Sequence, residues 1–161
     1  MLTKKAPVSA LLIADFFIRK GIESRNPVNP MKLQKLIYFA HGFHLALYNN
    51  TPLIKEEICA WKYGPVIASV YEQYKHYGNR PIDSIKFRKL NLEPNLVEFL
   101  EFIWSSYSEY SAIRLSNLTH VENSPWDIAL SPYEGIIPRD VVISNSTINN
   151  YFKRVWLKQA Q

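Results

Sequence analysis

Apolar positions in this chain recur at helical spacing, and prolines and small polar residues divide them into segments. Val8, Leu12 and Phe16 fall on one stripe with Ile13 and Phe17 beside it, which predicts a first helix over 7–20 stopped by Gly21. Asn29 and Pro30 have the chemistry of a cap and a first helical position. The helix they open carries Leu33, Leu36, Ile37, Ala40, His44 and Leu47 on a buried stripe and ends at Asn49, Asn50 and Pro52. Gln34, Tyr38 and His41 lie on the adjacent face. Gly42 costs a helix stability relative to alanine, so its expected use is close packing against another element.

Beyond it, alternation over 57–63 predicts a short strand, with Gly64-Pro65 turning into a third helix. That helix has Ile67, Val70, Tyr71, Tyr74 and Tyr77 on its stripe and Gly78 as its stop. Residues 82–87 suggest a second strand. Pro94 opens a fourth helix with Leu96, Val97, Leu100, Ile103, Trp104 and Tyr107 inward. Ser111 caps a fifth, containing Ile113, Leu115 and Leu118, and Ser124-Pro125 caps a short sixth at Trp126. After a loop with Pro132, Gly135 and Pro138, the spacing of Ile148, Tyr151, Phe152 and Val155 marks a terminal helix over 145–159. The expected fold is mainly α: one compact helical domain over 1–161, of six to seven helices with a small β-hairpin or strand patch.

Composition narrows the class. The chain has 161 residues, 47% hydrophobic and 20% charged, which suits a buried core and excludes disorder. Its 14% aromatic share, with tyrosine commonest, suits either a core or a protein interface. Cys59 is the only cysteine, so no intrachain disulfide forms, which points to a reducing compartment. The apolar run from Ala6 to Ile18 is interrupted by Asp15 and closed by Arg19 and Lys20. An amphipathic helix with an Asp15–Arg19 pair fits it better than a signal peptide. No apolar stretch reaches membrane-spanning length. The expectation is a cytoplasmic protein without a membrane partner.

The net charge of +5 is scattered over Lys4 and Lys5, over Lys86, Arg88 and Lys89, and over Lys153, Arg154 and Lys158. Such scatter fits a solvated surface better than a phosphate-binding face, so nucleic acid is not the expected partner. His41 and His44 have a spacing that metal ligands use, but two ligands do not make a site, and His44 sits on the apolar stripe as a hydrogen-bonded core histidine would. His76, near a helix end, suits the negative end of the helix dipole. Cys59, between Ile58 and Ala60, is expected to be a buried, inert thiol rather than a nucleophile. Glu56 and Glu57 are adjacent, and neighbours on a strand point to opposite faces, so they form no acid–base pair. No glycine-rich phosphate loop is present. No catalytic residue, metal or cofactor is expected, and the chain is not expected to be an enzyme.

Several ordered motifs carry a family resemblance. They are the run from Met31 to Ala40, the run from Ala60 to Val66, then Val70-Tyr71, Tyr74-Lys75, His76-Tyr77-Gly78, the run from Leu115 to His120, and Ser124-Pro125-Trp126. Over about residues 8–130 the chain resembles the Panacea domain family, which includes SocA-like antitoxins and phage-associated GepA proteins. The resemblance implies a mainly helical antitoxin that neutralises a toxin encoded beside it by direct complex formation. It leaves two alternatives: a proteolytic adaptor that delivers its partner to protease machinery, as in the SocA-like case, and a phage or mobile-element regulator associated with nucleic acid. Some relatives add a helix-turn-helix region; here the domain opens almost at once, so none is expected. Oligomeric state stays open.

Carried over residue by residue, the family motif falls on Lys32, Gln34, Lys35, Tyr38, His41, Trp61, Gly64, Pro65, Tyr71, Tyr74, His120, Pro125 and Trp126. Most have structural explanations: Gly64-Pro65 as a turn, Ser124-Pro125 as a helix start, the two tryptophans as core anchors, Tyr71 and Tyr74 as stripe residues. The polar edge of the second helix, Lys32, Gln34, Lys35, Tyr38 and His41, is the candidate partner-binding surface.

Overall fold

Helix α1 (Ala10–Glu23) starts where two acceptors meet its first free N–H groups. Ser9 Oγ accepts from Leu11 N–H at 3.2 Å, and the Glu56 carboxylate accepts from Ala10 N–H at 2.9 Å. The computed structural model describes residues 3–157. Val8 lies outside the helix, in an isolated bridge to Ile54. Gly21 does not stop α1. The helix runs through it, and a Cβ there would stand 3.0 Å from Asn26 O and 3.1 Å from Pro27 Cα, so the chain leaving α1 turns back across this position. Asp15 and Arg19 form the expected pair at 2.8 Å, but on a fully buried carboxylate.

Helix α2 (Pro30–Leu47) opens as expected, with Asn29 Oδ1 accepting from Lys32 N–H at 2.9 Å and Pro30 in the first turn. It differs from an amphipathic helix in being enclosed on every side: Lys32 through Ala46 are all buried, and α2 touches five other helices and the sheet. Leu47, expected on the buried stripe, is 47% exposed because the helix end emerges there. A Cβ on Gly42 would lie within 2.5 Å of three ring atoms of Phe152, which is the close packing expected of it.

Strands β1 (Ile58–Trp61) and β2 (Gly64–Val66) form a tight antiparallel hairpin, with Trp61 opposite Gly64 and Ala60 opposite Pro65. Gly64-Pro65 therefore begins a strand rather than a turn into a helix. Pro65 is tolerated because β2 is an edge strand. Helix α3 (Ala68–Tyr74) follows and tightens into a 3-10 turn that Gly78 ends. Residues 82–87 form no strand. Their backbone is claimed elsewhere: Ile82 N–H goes to Val28 O, Lys86 N–H to Asp15 Oδ1, and Phe87 O accepts from Arg19.

Helices α4 (Pro94–Tyr107), α5 (Ala112–Thr119) and α6 (Pro125–Leu130) start at the expected residues, with Ser111 and Ser124 capping the last two. The third strand, β3 (Val141–Ile143), comes from the loop after α6 and pairs antiparallel with β1, giving the order β2-β1-β3. Helix α7 (Asn145–Tyr151) continues as a wider π turn over Phe152–Leu157. Lys158 and Gln159, the last two positions of the expected terminal helix, lie outside the described residues. The π turn brings Phe152 and Trp156 against Phe39, Phe43 and Tyr107, where Phe39 stacks on Tyr107 at 5.0 Å and Phe152 meets Phe43 edge-on at 5.2 Å. The protein is mainly α with one small antiparallel sheet. Among the described residues no helix is long and apolar enough to cross a membrane.

Candidate functional site

The polar edge of α2 is not an exposed face. Lys32, Gln34, Lys35, Tyr38 and His41 are all buried, between 7% and 0% exposed. Lysine is rarely buried this deeply without partners, and both lysines have them. Lys32 Nζ donates to Ser108 O at 2.6 Å, at the negative end of α4. Burial lowers its pKa, partly opposed by Glu109.

Gln34 and Lys35 close the free edge of β2. Gln34 Oε1 accepts from Ile67 N–H at 2.9 Å while its Nε2 donates to Ile67 O at 3.1 Å, so one amide satisfies both backbone groups as a neighbouring strand would. Lys35 Nζ donates to Tyr63 O at 3.1 Å and to Pro65 O at 3.2 Å. Burial lowers the Lys35 pKa from 10.5 to about 8, which still leaves an ammonium at neutral pH. Gly64 sits above it at φ +116, where a Cβ would come within 2.7 Å of Lys35 Nζ and 3.0 Å of His120 Cε1.

The other motif residues brace the same hairpin from behind. Trp126 Nε1 donates to Trp61 O at 2.6 Å, and its ring packs on His120 at 4.4 Å. His120 Nδ1 donates to Ser116 O at 2.7 Å, and Ser124 Oγ donates to Thr119 O at 3.0 Å. Pro125 is buried at the start of α6. Trp61 is only half-buried; it meets Tyr71 edge-on at 5.0 Å and has Arg139 over its face at 5.6 Å. Tyr74 is buried as expected, whereas Tyr71 is 40% exposed.

These contacts leave a cleft of about 220 Å³ between the start of α2, the hairpin and α3. Gln34, Lys35, Trp61, Tyr71 and Tyr74 line it together with Met31, Tyr63, Val66 and Val70. Met31, Tyr63 and Tyr71 are exposed at its rim, with Tyr63 at the hairpin tip 66% exposed. Sequence reasoning did not name Met31, Tyr63, Val66 or Val70 as site residues, although the motif runs contain them. The available signal was two aromatic residues, Trp61 and Tyr63, at the end of β1 and in the two-residue turn after it.

Lys32, Tyr38 and His41 do not line the cleft. Tyr38 packs between Phe39 and Phe152, and burial pushes its hydroxyl pKa far up. His41 ties one loop and the start of α7 to α2: Nδ1 accepts from Leu53 N–H at 3.3 Å and Nε2 donates to Asn145 Oδ1 at 2.8 Å. Burial lowers its pKa from 6.5 to about 4. His44 Nδ1 donates to Thr51 O at 2.7 Å, so each ring has a protein partner. Cys59 is buried, and burial raises its thiol pKa, which makes the thiolate scarce. The cleft thus offers apolar and aromatic walls, an arrangement suited to holding a group of another molecule.

No solved structure matches this chain. A curated protein, Antitoxin SocA of Caulobacter vibrioides, is 30% identical over 132 residues, which cover 75% of this chain and 70% of that relative. The model of the family described as antitoxin SocA-like, Panacea domain, matches residues 33–127, a span holding every cleft residue from Leu33 to Gly78 and the bracing residues His120, Pro125 and Trp126. The chain belongs to the SocA-like antitoxin family built on the Panacea domain.

Proposed function

We propose that this chain is an antitoxin that neutralises a toxin encoded beside it by direct complex formation, acting through binding and not through catalysis. The relation to Antitoxin SocA is the observation that carries this reading. The cleft supports it physically. Tyrosine, tryptophan and methionine concentrate at protein interfaces, and here they surround a rigid hollow whose hairpin is pinned on both sides. A shallower hollow lined by Trp61, Tyr71, Ile137 and Arg139 adjoins it, so the two form the centre of a larger patch. A standard interface needs roughly 800 Å² per partner, which a domain of this size can supply.

In this reading the polar edge of α2 serves partner binding mainly from beneath. Gln34 and Lys35 shape the cleft, whereas Lys32, Tyr38 and His41 hold α2 against its neighbours. Charge reversal at Lys32 or Lys35 would unfold the bracket and so would report on folding. Reversal at the exposed Lys62 and Arg139 tests contact. The net charge of +5 speeds encounter with an acidic partner, and association slows as salt rises.

The test is co-expression with the protein of the neighbouring reading frame, tagging only this chain. The expected outcome is a neighbour that is toxic alone, harmless with this chain, and co-purified as a stable complex. A neighbour that is harmless alone and not retained overturns the proposal. Rescued growth with loss of the neighbour moves the mechanism to delivery to a protease.

A further inference from the structure

Basic residues that lie far apart in the sequence meet in the fold. A parallel bridge joins Lys4 to Leu92, with Lys4 N–H donating to Asn91 O at 2.6 Å and Glu93 N–H donating to Lys4 O at 2.9 Å. The bridge brings Lys4 and Lys5 to the end of the segment that carries Lys86, Arg88 and Lys89, so two of the three basic groups of the chain form one strip. All five residues are exposed, and among the described residues none of them is held in an ion pair. Gathered like charges repel one another, and a bound anion relieves that repulsion.

At its Lys5 end the strip reaches aromatic surface. Lys5 and Glu93 border a hollow of about 320 Å³ that Tyr48, Phe99 and Asn95 also line. Tyr48 is 47% exposed and meets Phe99 edge-on at 5.7 Å. A second hollow shares Tyr48, Asn95 and Phe99, and is lined one turn further along α4 by Phe102, which is 55% exposed. Tyr48 and Phe102 thus leave about half of their surface in solvent beside the cationic strip. Neither hollow shares a lining residue with the hairpin cleft.

We propose that this surface binds single-stranded nucleic acid, with phosphates along the strip from Lys86 to Lys5 and unpaired bases on Tyr48 and Phe102. Charge complementarity selects a polyanion. Protein interfaces are depleted of lysine, and four of the five cations here are lysines, whereas lysine and arginine are the usual contacts to phosphate. The aromatic rings select a single strand, because exposed bases stack on such rings while those of a duplex are already stacked. Asn95 carries both a donor and an acceptor for a base edge. The proposal stands on a different face from the antitoxin reading and does not rest on it.

The test is fluorescence anisotropy of the full chain with short labelled oligo-uridine and oligo-thymidine strands. Affinity should fall with salt at a log–log slope of about −3, as four or five phosphate contacts at roughly 0.7 each require. Phe102→Ala and Tyr48→Ala should each weaken binding about tenfold with that slope unchanged. Lys4→Gln combined with Lys89→Gln should make the slope shallower by about 1.4. Melting temperatures of the parent and variants show that the fold is kept, and Phe102→Ala, at the more exposed position, decides the matter if Tyr48→Ala is destabilised. Strands that do not bind at low salt overturn the proposal. Displacement of the strands by poly-L-glutamate at equal charge, with both aromatic variants at parent affinity, also overturns it and assigns the strip to an acidic protein. Tyr63→Ala at the cleft should leave strand binding unchanged; an equal loss there overturns the placement on this face.

Discussion

The two sides of α2 are held by different physics. Toward the hairpin, Gln34 and Lys35 use four hydrogen bonds to close the backbone of 63–67. Toward the chain's end, Phe39 and Phe43 meet Phe152, Trp156 and Tyr107 in an aromatic cluster without directional polar bonds. The aromatic side contributes bulk burial and tolerates changes that conserve volume. The polar side contributes little net free energy but dictates one backbone geometry, since a buried group left unpaired is costly. The cleft proposed as the partner-binding surface is built on the polar side, where geometry matters most.

Phe152→Ala should show the largest effect. It empties the space between Gly42, Phe39 and Phe43, and the expected loss is about 3–5 kcal/mol in denaturant unfolding. A loss under about 1 kcal/mol would show that the aromatic cluster is not the main source of stability on that side.

His41, which ties α2 to the backbone at Leu53 and to the start of α7, makes stability pH-dependent. Its folded pKa, about 4, lies below the unfolded value of 6.5, so the unfolded chain binds the extra proton first. Stability is full above about pH 6.5 and falls as pH drops toward 4, by ~3 kcal/mol over that window. Urea melts at pH 7 and pH 5 measure it. His41→Gln should flatten this dependence, and an equal slope in that variant would assign the effect to other groups.

On the polar side, Gln34→Leu keeps volume but strands Ile67 N–H and O, and about 2 kcal/mol of stability should be lost. Hydrogen exchange should quicken first at Ile67 while the aromatic side stays protected; uniform loss of protection would mean that the two sides do not separate. The smallest effect on stability is expected at the hairpin tip. Tyr63→Ala should stay within about 0.5 kcal/mol of the parent yet lower partner affinity at least about tenfold. Unchanged affinity would remove Tyr63 from the interface.

Much of this was legible in the chain. Asn29-Pro30, Ser111 and Ser124-Pro125 announce their helices because capping is local chemistry, carried by residues within three positions of each other. Gly42 announced a close approach because glycine has few other uses in mid-helix. The motif residues around the hairpin were also visible as a family pattern, and they converge on one place in the fold.

What sequence alone determined is the set of helices, their caps, the mainly helical class and the family. Tertiary structure decided everything that depends on partners far along the chain. Residues 82–87 look like a strand but do not pair, because Asp15 and Val28, more than fifty residues away, take their backbone groups. The strand that does pair, β3, comes from a segment with no clear periodic signal. The polar edge of α2 looks like a solvated face, since lysine and glutamine are usually exposed, and only the β2 edge laid against it turns those residues inward. Local spacing sets which side chains share a helix face; whether that face meets water or a buried carbonyl is settled by what the rest of the chain brings to it.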